Sequence, residues 1–155
     1  MTMELSLSSL SSAALYTGLA YLQGVVTYSL VAYDIPATSS ESNLKKTMDY
    51  YTTRKEADLS YKGVPVACVL LTGGVFANIA VQRGSVGSLL TLAAAFLTAF
   101  NNGKNVVDPV NALAADAKGD KVKERNLTEF MSGVTRGHWI DFAGFTTIFL
   151  LVTYL

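Results

Sequence analysis

Close to its C-terminal end the chain gathers its only His, its only Trp, an Arg and an Asp into six residues, Arg136-Gly-His-Trp-Ile-Asp141, which lead into the apolar stretch Phe142–Leu155. His138 and Asp141 stand three apart, so a helix presents them on one side. A carboxylate beside an imidazole can hold one tautomer and raise the basicity of the other nitrogen, which is what a general base needs. Arg136 or Asn111 could then stabilise an oxyanion formed on a substrate, as could Asn105. Trp139 could wall an aromatic ligand. Tyr21 and Tyr28, seven apart on the first apolar stretch, share a helix face, and so do Asn101 and Asn105 at the end of the third. These residues, with Trp139, are the candidate substrate-binding set. A plainer role fits the same cluster: Trp settles at headgroup level and Arg snorkels there, so Arg136, His138 and Trp139 can be an interfacial anchor. Asp141 argues for a site, because an acid two residues inside an aromatic belt is poorly explained by anchoring.

The elements that must position these groups are apolar helices. Half of the 155 residues are hydrophobic and 15% are charged, against about 25% in an average soluble domain. Apart from Glu4, Arg83 and Asp141, all acids and bases fall within residues 34–62 and 104–136. The uncharged windows between them have membrane-spanning length, with spans expected at 9–33, 64–81, 85–101 and 139–155. The fold class is therefore all-α: a single-domain integral membrane four-helix bundle, with helices extending beyond the bilayer on the long-loop side. The first span carries Tyr16, Thr17, Tyr21, Gln23, Thr27, Tyr28 and Ser29, polar groups that belong on a face turned into the bundle. It lacks the basic flank of a signal peptide and reads as a retained span.

Asp34-Ile-Pro36 is expected to end the first helix and Asp108-Pro109 to break the third, since Pro cannot continue the hydrogen-bond ladder. Residues Leu44–Tyr61 have helical spacing and read as an amphipathic helix outside the membrane, capped among Ser39, Ser40 and Ser42. Its mixed charges are most simply a solvated face. Gln82-Arg83-Gly84 forces an antiparallel hairpin. Val110–Asp120 reads as loop with a short helical turn, and from Val122 a helix runs into the fourth span. Gly73-Gly74 and Gly133-xxx-Gly137 provide for close helix approach.

Eleven of the twelve Lys and Arg residues lie in the two long segments, five in the first and six in the second. By the positive-inside rule both segments are cytosolic and both termini are not. The sequon-like Asn126-Leu-Thr128 then stays unglycosylated. Acids and bases balance at 12 each, so no basic face invites nucleic acid. One His and one Cys cannot build the usual zinc, haem or iron–sulfur sites, and no cofactor or metal is implied. The expected partners are the lipid bilayer, an apolar small molecule, and a second copy or other membrane subunits.

The layout resembles the small four-span membrane proteins typified by fungal anthrone oxygenases. The resemblance rests on Ile35-Pro36-Ala37 at the end of the first span, Lys62-Gly63-Val64-Pro65 at the head of the second, Pro109-Val-Asn111-Ala-Leu113 after the third, and Arg136, His138 and Trp139 leading into the fourth. In the family pattern Trp precedes an Asn or His and then Arg, whereas here Arg136 comes first. The resemblance implies a cofactor-independent oxygenase acting on a flat, apolar, polyphenolic substrate. The alternative is a non-catalytic structural or accessory subunit of a larger membrane complex, for which the lack of a strong motif and the small-residue helix faces speak.

Overall fold

The computed structural model describes residues 7–54, 58–118 and 127–155, and among these every regular element is helical. Helix α1 (Leu7–Ser29) widens into a π-helical turn, π1 (Leu30–Asp34), and continues as the short α2 (Ile35–Ala37). Helix α3 (Glu41–Asp49) passes into a second such turn, π2 (Tyr50–Arg54). Then come α4 (Leu59–Lys62), α5 (Val64–Val81) and α6 (Val86–Asn102). A third turn, π3 (Gly103–Val107), joins α6 to α7 (Asp108–Lys118), and α8 (Leu127–Tyr154) ends the described chain but for Leu155.

The four long helices α1, α5, α6 and α8 run up, down, up and down. Cross-helix pairs keep a constant register sum, as antiparallel neighbours must: Tyr16 meets Thr153 and Gln23 meets Thr146 between α1 and α8. Missing side chains set the closest approaches. A Cβ on Gly18 would lie 2.6 Å from the Ala67 carbonyl oxygen and from the Leu71 nitrogen, and one on Gly74 would lie 2.7 Å from the Leu15 backbone. These two glycines therefore let α1 and α5 pack backbone to backbone. Gly144 against Thr98 does the same for α8 and α6, and Gly137 fits against Val106. Gly73 and Gly133, the other halves of the expected small-residue pairs, have nothing within 4 Å.

The mid-bundle core is aliphatic, built on Leu15, Leu19, Leu22, Leu71, Val75 and Ile148, with Phe145 from α8. A second core at the long-segment end joins Ala37, Met48, Tyr50 and Tyr51 to Val106, Val110, Leu113, Met131 and Val134. It packs the first polar segment against the second, so both lie at one end of the bundle. Helix α5 and the helical run Val86–Ala115 are long and apolar enough to cross a membrane. Only 28% and 22% of their apolar windows is buried, whereas the core helix of a water-soluble bundle is mostly covered. Helices α1 and α8 are interrupted by inward-facing polar groups, Ser11, Ser29, His138 and Asp141 among them.

Several expected boundaries move. Neither proline stops its helix where expected: the chain widens before each one, with Ile35 N–H bonding the Leu30 carbonyl and Asp108 N–H bonding that of Gly103, then coils on. The wider turn gives the proline ring room that the carbonyl four residues back would otherwise take. Residues 108–118 are accordingly helix, not loop. The segment Leu44–Tyr61 is not one amphipathic helix, because π2 and the break before α4 divide it. Its cap is Ser40, whose Oγ accepts from Asn43 N–H at 3.2 Å. Lys55, Asn126 and the start of the approach helix at Val122 lie outside the described residues.

Candidate functional site

The π1 turn decides which carboxylate reaches the histidine. Along α1 and into π1 the buried positions are 11, 15, 18–19, 22, 25–26 and 29–30, the 3.6-residue rhythm of one face, and the next in that rhythm would be Tyr33. The extra residue in the π turn rotates the following chain, so Asp34 takes the buried place and is fully enclosed. His138, on α8, is also buried, and its Nδ1 donates to Asp34 Oδ2 at 2.5 Å. The other oxygen, Oδ1, accepts from the Tyr51 hydroxyl at 2.7 Å. The carboxylate thus serves as acceptor on both sides, which keeps the imidazole proton on Nδ1 and leaves Nε2 with its lone pair free to accept. The Tyr51 ring stacks against the imidazole with centroids 6.5 Å apart. Burial and the neighbouring Asp34 charge push the Tyr51 hydroxyl far above its ordinary range, so it stays a donor.

Asp141 does not orient His138. Three residues along a helix is about 300° of rotation, about 60° short of a full turn, and the two side chains find different neighbours. Asp141 turns to α6, where Asn101 Nδ2 holds Oδ1 and Asn102 Nδ2 holds Oδ2, each at 2.6 Å. Asn101 Nδ2 also donates to the Gly137 carbonyl at 2.9 Å, and Asn105 Nδ2 donates to Asn101 Oδ1 at 2.8 Å. This second cluster staples α8 to α6 and satisfies a buried acid with two amides.

His138 opens onto a cavity of about 570 Å³ between the four long helices. Most of its wall is apolar, with Leu22, Val26, Leu71, Val75, Phe96 and Phe145 prominent. Its hydrogen-bonding groups include Ser29, Tyr61, Asn102 and His138, which lie toward the long-segment end, and Thr72 farther along α5. Ser29 and Tyr61 bond each other through their hydroxyls at 2.6 Å. Burial raises the Tyr61 hydroxyl to about 12, so it too remains protonated. A tyrosine stack flanks this end: Tyr33 lies flat on Tyr50 with centroids 3.7 Å apart, and Tyr50 donates to Asp58 at 2.8 Å. A pocket of this size with a few converging polar groups suits a small-molecule ligand. Among the described residues no group of His, Cys, Asp and Glu is arranged to hold a metal ion.

Of the residues singled out by spacing, only His138 lines this cavity. Asn101 is buried one layer behind it, holding Asp141. Asn105 is exposed, because π3 shifts the buried place to Val106 just as π1 shifts it to Asp34. Arg136 and Asn111 are exposed. Trp139 is half-exposed and packs edge-on to Phe142. Tyr28 is exposed and shares a 3.2 Å hydrogen bond with Tyr33, and Tyr21 lies over Gly63. The groups that spacing missed are Asp34, Tyr51, Tyr61 and Asn102, whereas Ser29, expected on the inward face of the first span, is buried and lines the cavity. The available signal was Asp34 itself, an acid bordering a span of otherwise uncharged residues. Compared with known protein families, characterised proteins and solved structures, the chain finds no match.

Proposed function

We propose that the chain is a multi-pass membrane protein of four spans whose bundle houses a general base for an apolar ligand, and that it works as a cofactor-independent oxygenase of apolar aromatic or polyketide substrates. One observation carries the reading: His138 is held by Asp34 through Nδ1 and lines an apolar cavity. Nε2 takes a proton from an activated methylene or a phenol of the bound aromatic. The resulting carbanion reduces O₂ and forms a peroxide, which loses water to leave a ketone. Atoms balance without a cofactor, since R₂CH₂ and O₂ give R₂C=O and H₂O. The Tyr61 and Ser29 hydroxyls are the cavity donors available to a developing oxyanion, in place of Arg136, Asn105 and Asn111.

The four-span reading is supported by the up-down register and by the outward apolar side chains of all four long helices, Val69 and Phe96 the most exposed in their middles. Clustering of the two long segments at one end agrees with a common, cytosolic side under the positive-inside rule. The test is turnover. Purified protein in lipid nanodiscs is given anthrone under air, and oxygen uptake and ketone formation are followed. Activity that survives intact in folded His138→Ala would refute the proposal. The rival reading, an accessory subunit of a membrane complex, draws on the same exposed apolar faces of α5 and α6. Specific co-purifying subunits, together with no ligand binding in the cavity, would favour it.

A further inference from the structure

The cavity walls are not equally open. Every lining residue from α1 and α8 is buried, Ser29 and His138 included. The exposed lining residues are Cys68, Thr72 and Phe76, spaced by four along α5, and Phe96 and Ala99 on α6. The cavity mouth is therefore the seam between α5 and α6. These are the same stretches that are apolar enough to cross a membrane, and the seam is flanked by outward Val69, 71% exposed, and Leu97, 64% exposed. The route from the long-segment end is filled by the second core, in which Val106, Leu113 and Met131 are almost completely buried.

We propose that the cavity is loaded sideways from the bilayer through the α5–α6 seam, by a lipid-dissolved amphiphile carrying one hydrogen-bonding head. The proposal rests on the reading of the cavity as a ligand site. The head goes to the end where Ser29, Tyr61 and His138 converge, and the apolar body lies along Leu71, Val75 and Phe145. Such a ligand never crosses water on its way to the base. It arrives already desolvated and keeps its apolar surface out of water throughout.

The chain provides its own reporter. Cys68 is the only cysteine and stands at the mouth, so its alkylation by N-ethylmaleimide in nanodiscs reads occupancy. The probes are 2-naphthol, which has one hydroxyl head, and naphthalene, which has none. 2-Naphthol is expected to protect Cys68, with naphthalene weaker by roughly three- to tenfold, the loss of one hydrogen bond. His138→Ala should narrow that gap. The rate at which protection develops should follow the mole fraction of probe in the bilayer, falling as lipid is added at constant total probe. Ala99→Trp, or Thr72→Trp should the first fold poorly, should slow loading and release together by roughly tenfold, a barrier rise of about 1.4 kcal/mol. Protection in the wild type whose rate ignores both lipid dilution and the seam tryptophans would overturn the lateral route while leaving the cavity as a site. No protection of Cys68 by 2-naphthol would overturn the ligand site and the route together.

Discussion

Replacing Asp34 with Asn tests the dyad where it is most specific, because a single histidine gives an unambiguous signal. Asp34 accepts from His138 at 2.5 Å and from Tyr51 at 2.7 Å, both out of water. The amide of Asp34→Asn would offer one acceptor oxygen and one amino group to these two donors. With its amino group turned to Nδ1 and its oxygen kept on the Tyr51 hydroxyl, the amide is satisfied when the imidazole moves its proton to Nε2 and accepts at Nδ1, so the tautomer inverts and Nε2 loses its free lone pair. Two charge-assisted bonds of about 1.5–3 kcal/mol each become neutral bonds of about 0.5–1.5 kcal/mol, a loss of about 2–3 kcal/mol in all. Relief from burying a carboxylate charge offsets part of it. Asp34→Ala removes both acceptors and leaves two buried donors unsatisfied, which costs about 2–6 kcal/mol. Isotope-labelled histidine in nanodiscs, read by long-range proton–nitrogen correlation, should give an Nδ1–H imidazole in the wild type and an Nε2–H imidazole in Asp34→Asn. Asp141→Asn should keep the wild-type pattern, because that acid is held by Asn101 and Asn102. A tautomer that follows Asp141 and ignores Asp34 would refute the reasoning.

Three further outcomes are expected. Gly18→Leu should destabilise the bundle by about 1–3 kcal/mol or more through overpacking against Ala67 and Leu71, whereas Gly73→Ala, with open space around it, should be neutral or stabilising by up to about 1 kcal/mol; thermal unfolding in detergent compares them. Asn101→Ala should cost about 1.5–3 kcal/mol by removing a charge-assisted bond to Asp141, read in the same melts. Tyr61 is raised to about 12 and Tyr51 higher still, so the folded state holds protons that the unfolded chain releases near its ordinary tyrosine pKa of about 10. The stability they contribute is intact below that pH and is lost as pH climbs through 12. Tyrosinate absorbance should therefore show Tyr61 and Tyr51 missing from the ordinary transition and rising only as the protein unfolds; a Tyr61→Phe titration identical to the wild type across pH 11–13 would count against the Tyr61 environment.

How much of this is legible in the sequence depends on periodicity. The long helices stand out because charge is absent from their windows, and their order follows from the three-residue Gln82–Gly84 turn. His138 stands out because it is unique. Its partner does not, since Asp34 is 104 residues away and reaches His138 only through tertiary packing. Pairing by spacing along one helix favours Asp141, which is the nearer acid in sequence but is claimed by two α6 amides that no local pattern reveals. The tyrosines of α1 share a face and so suggest a pocket wall, yet Tyr21 and Tyr28 remain partly exposed beside α1's buried stripe.

The prolines carry the remaining lesson. Pro36 and Pro109 read as stops, because a proline in a regular α-helix removes a hydrogen bond and clashes one turn back. In this bundle each follows a π turn that opens the helix at that point, and each turn adds one residue to the count. Every face assignment beyond it shifts by about 100°, which is enough to turn a buried position outward. That single offset accounts for Asp34 in place of Tyr33 and for Val106 in place of Asn105. The polar end of the cavity is bounded by both turns, with Asp34 behind His138 and Gly103 and Val106 in the wall. The π turns thus serve as the device by which straight apolar helices bring a carboxylate, an imidazole and a cavity to one level. Deleting Leu30, to restore a regular α1, should therefore send Asp34 off the histidine and silence the dyad while leaving the aliphatic core of Leu15, Leu19 and Leu22 in place; an unaltered Nδ1–H signal in that variant would show that the turn does not set the register.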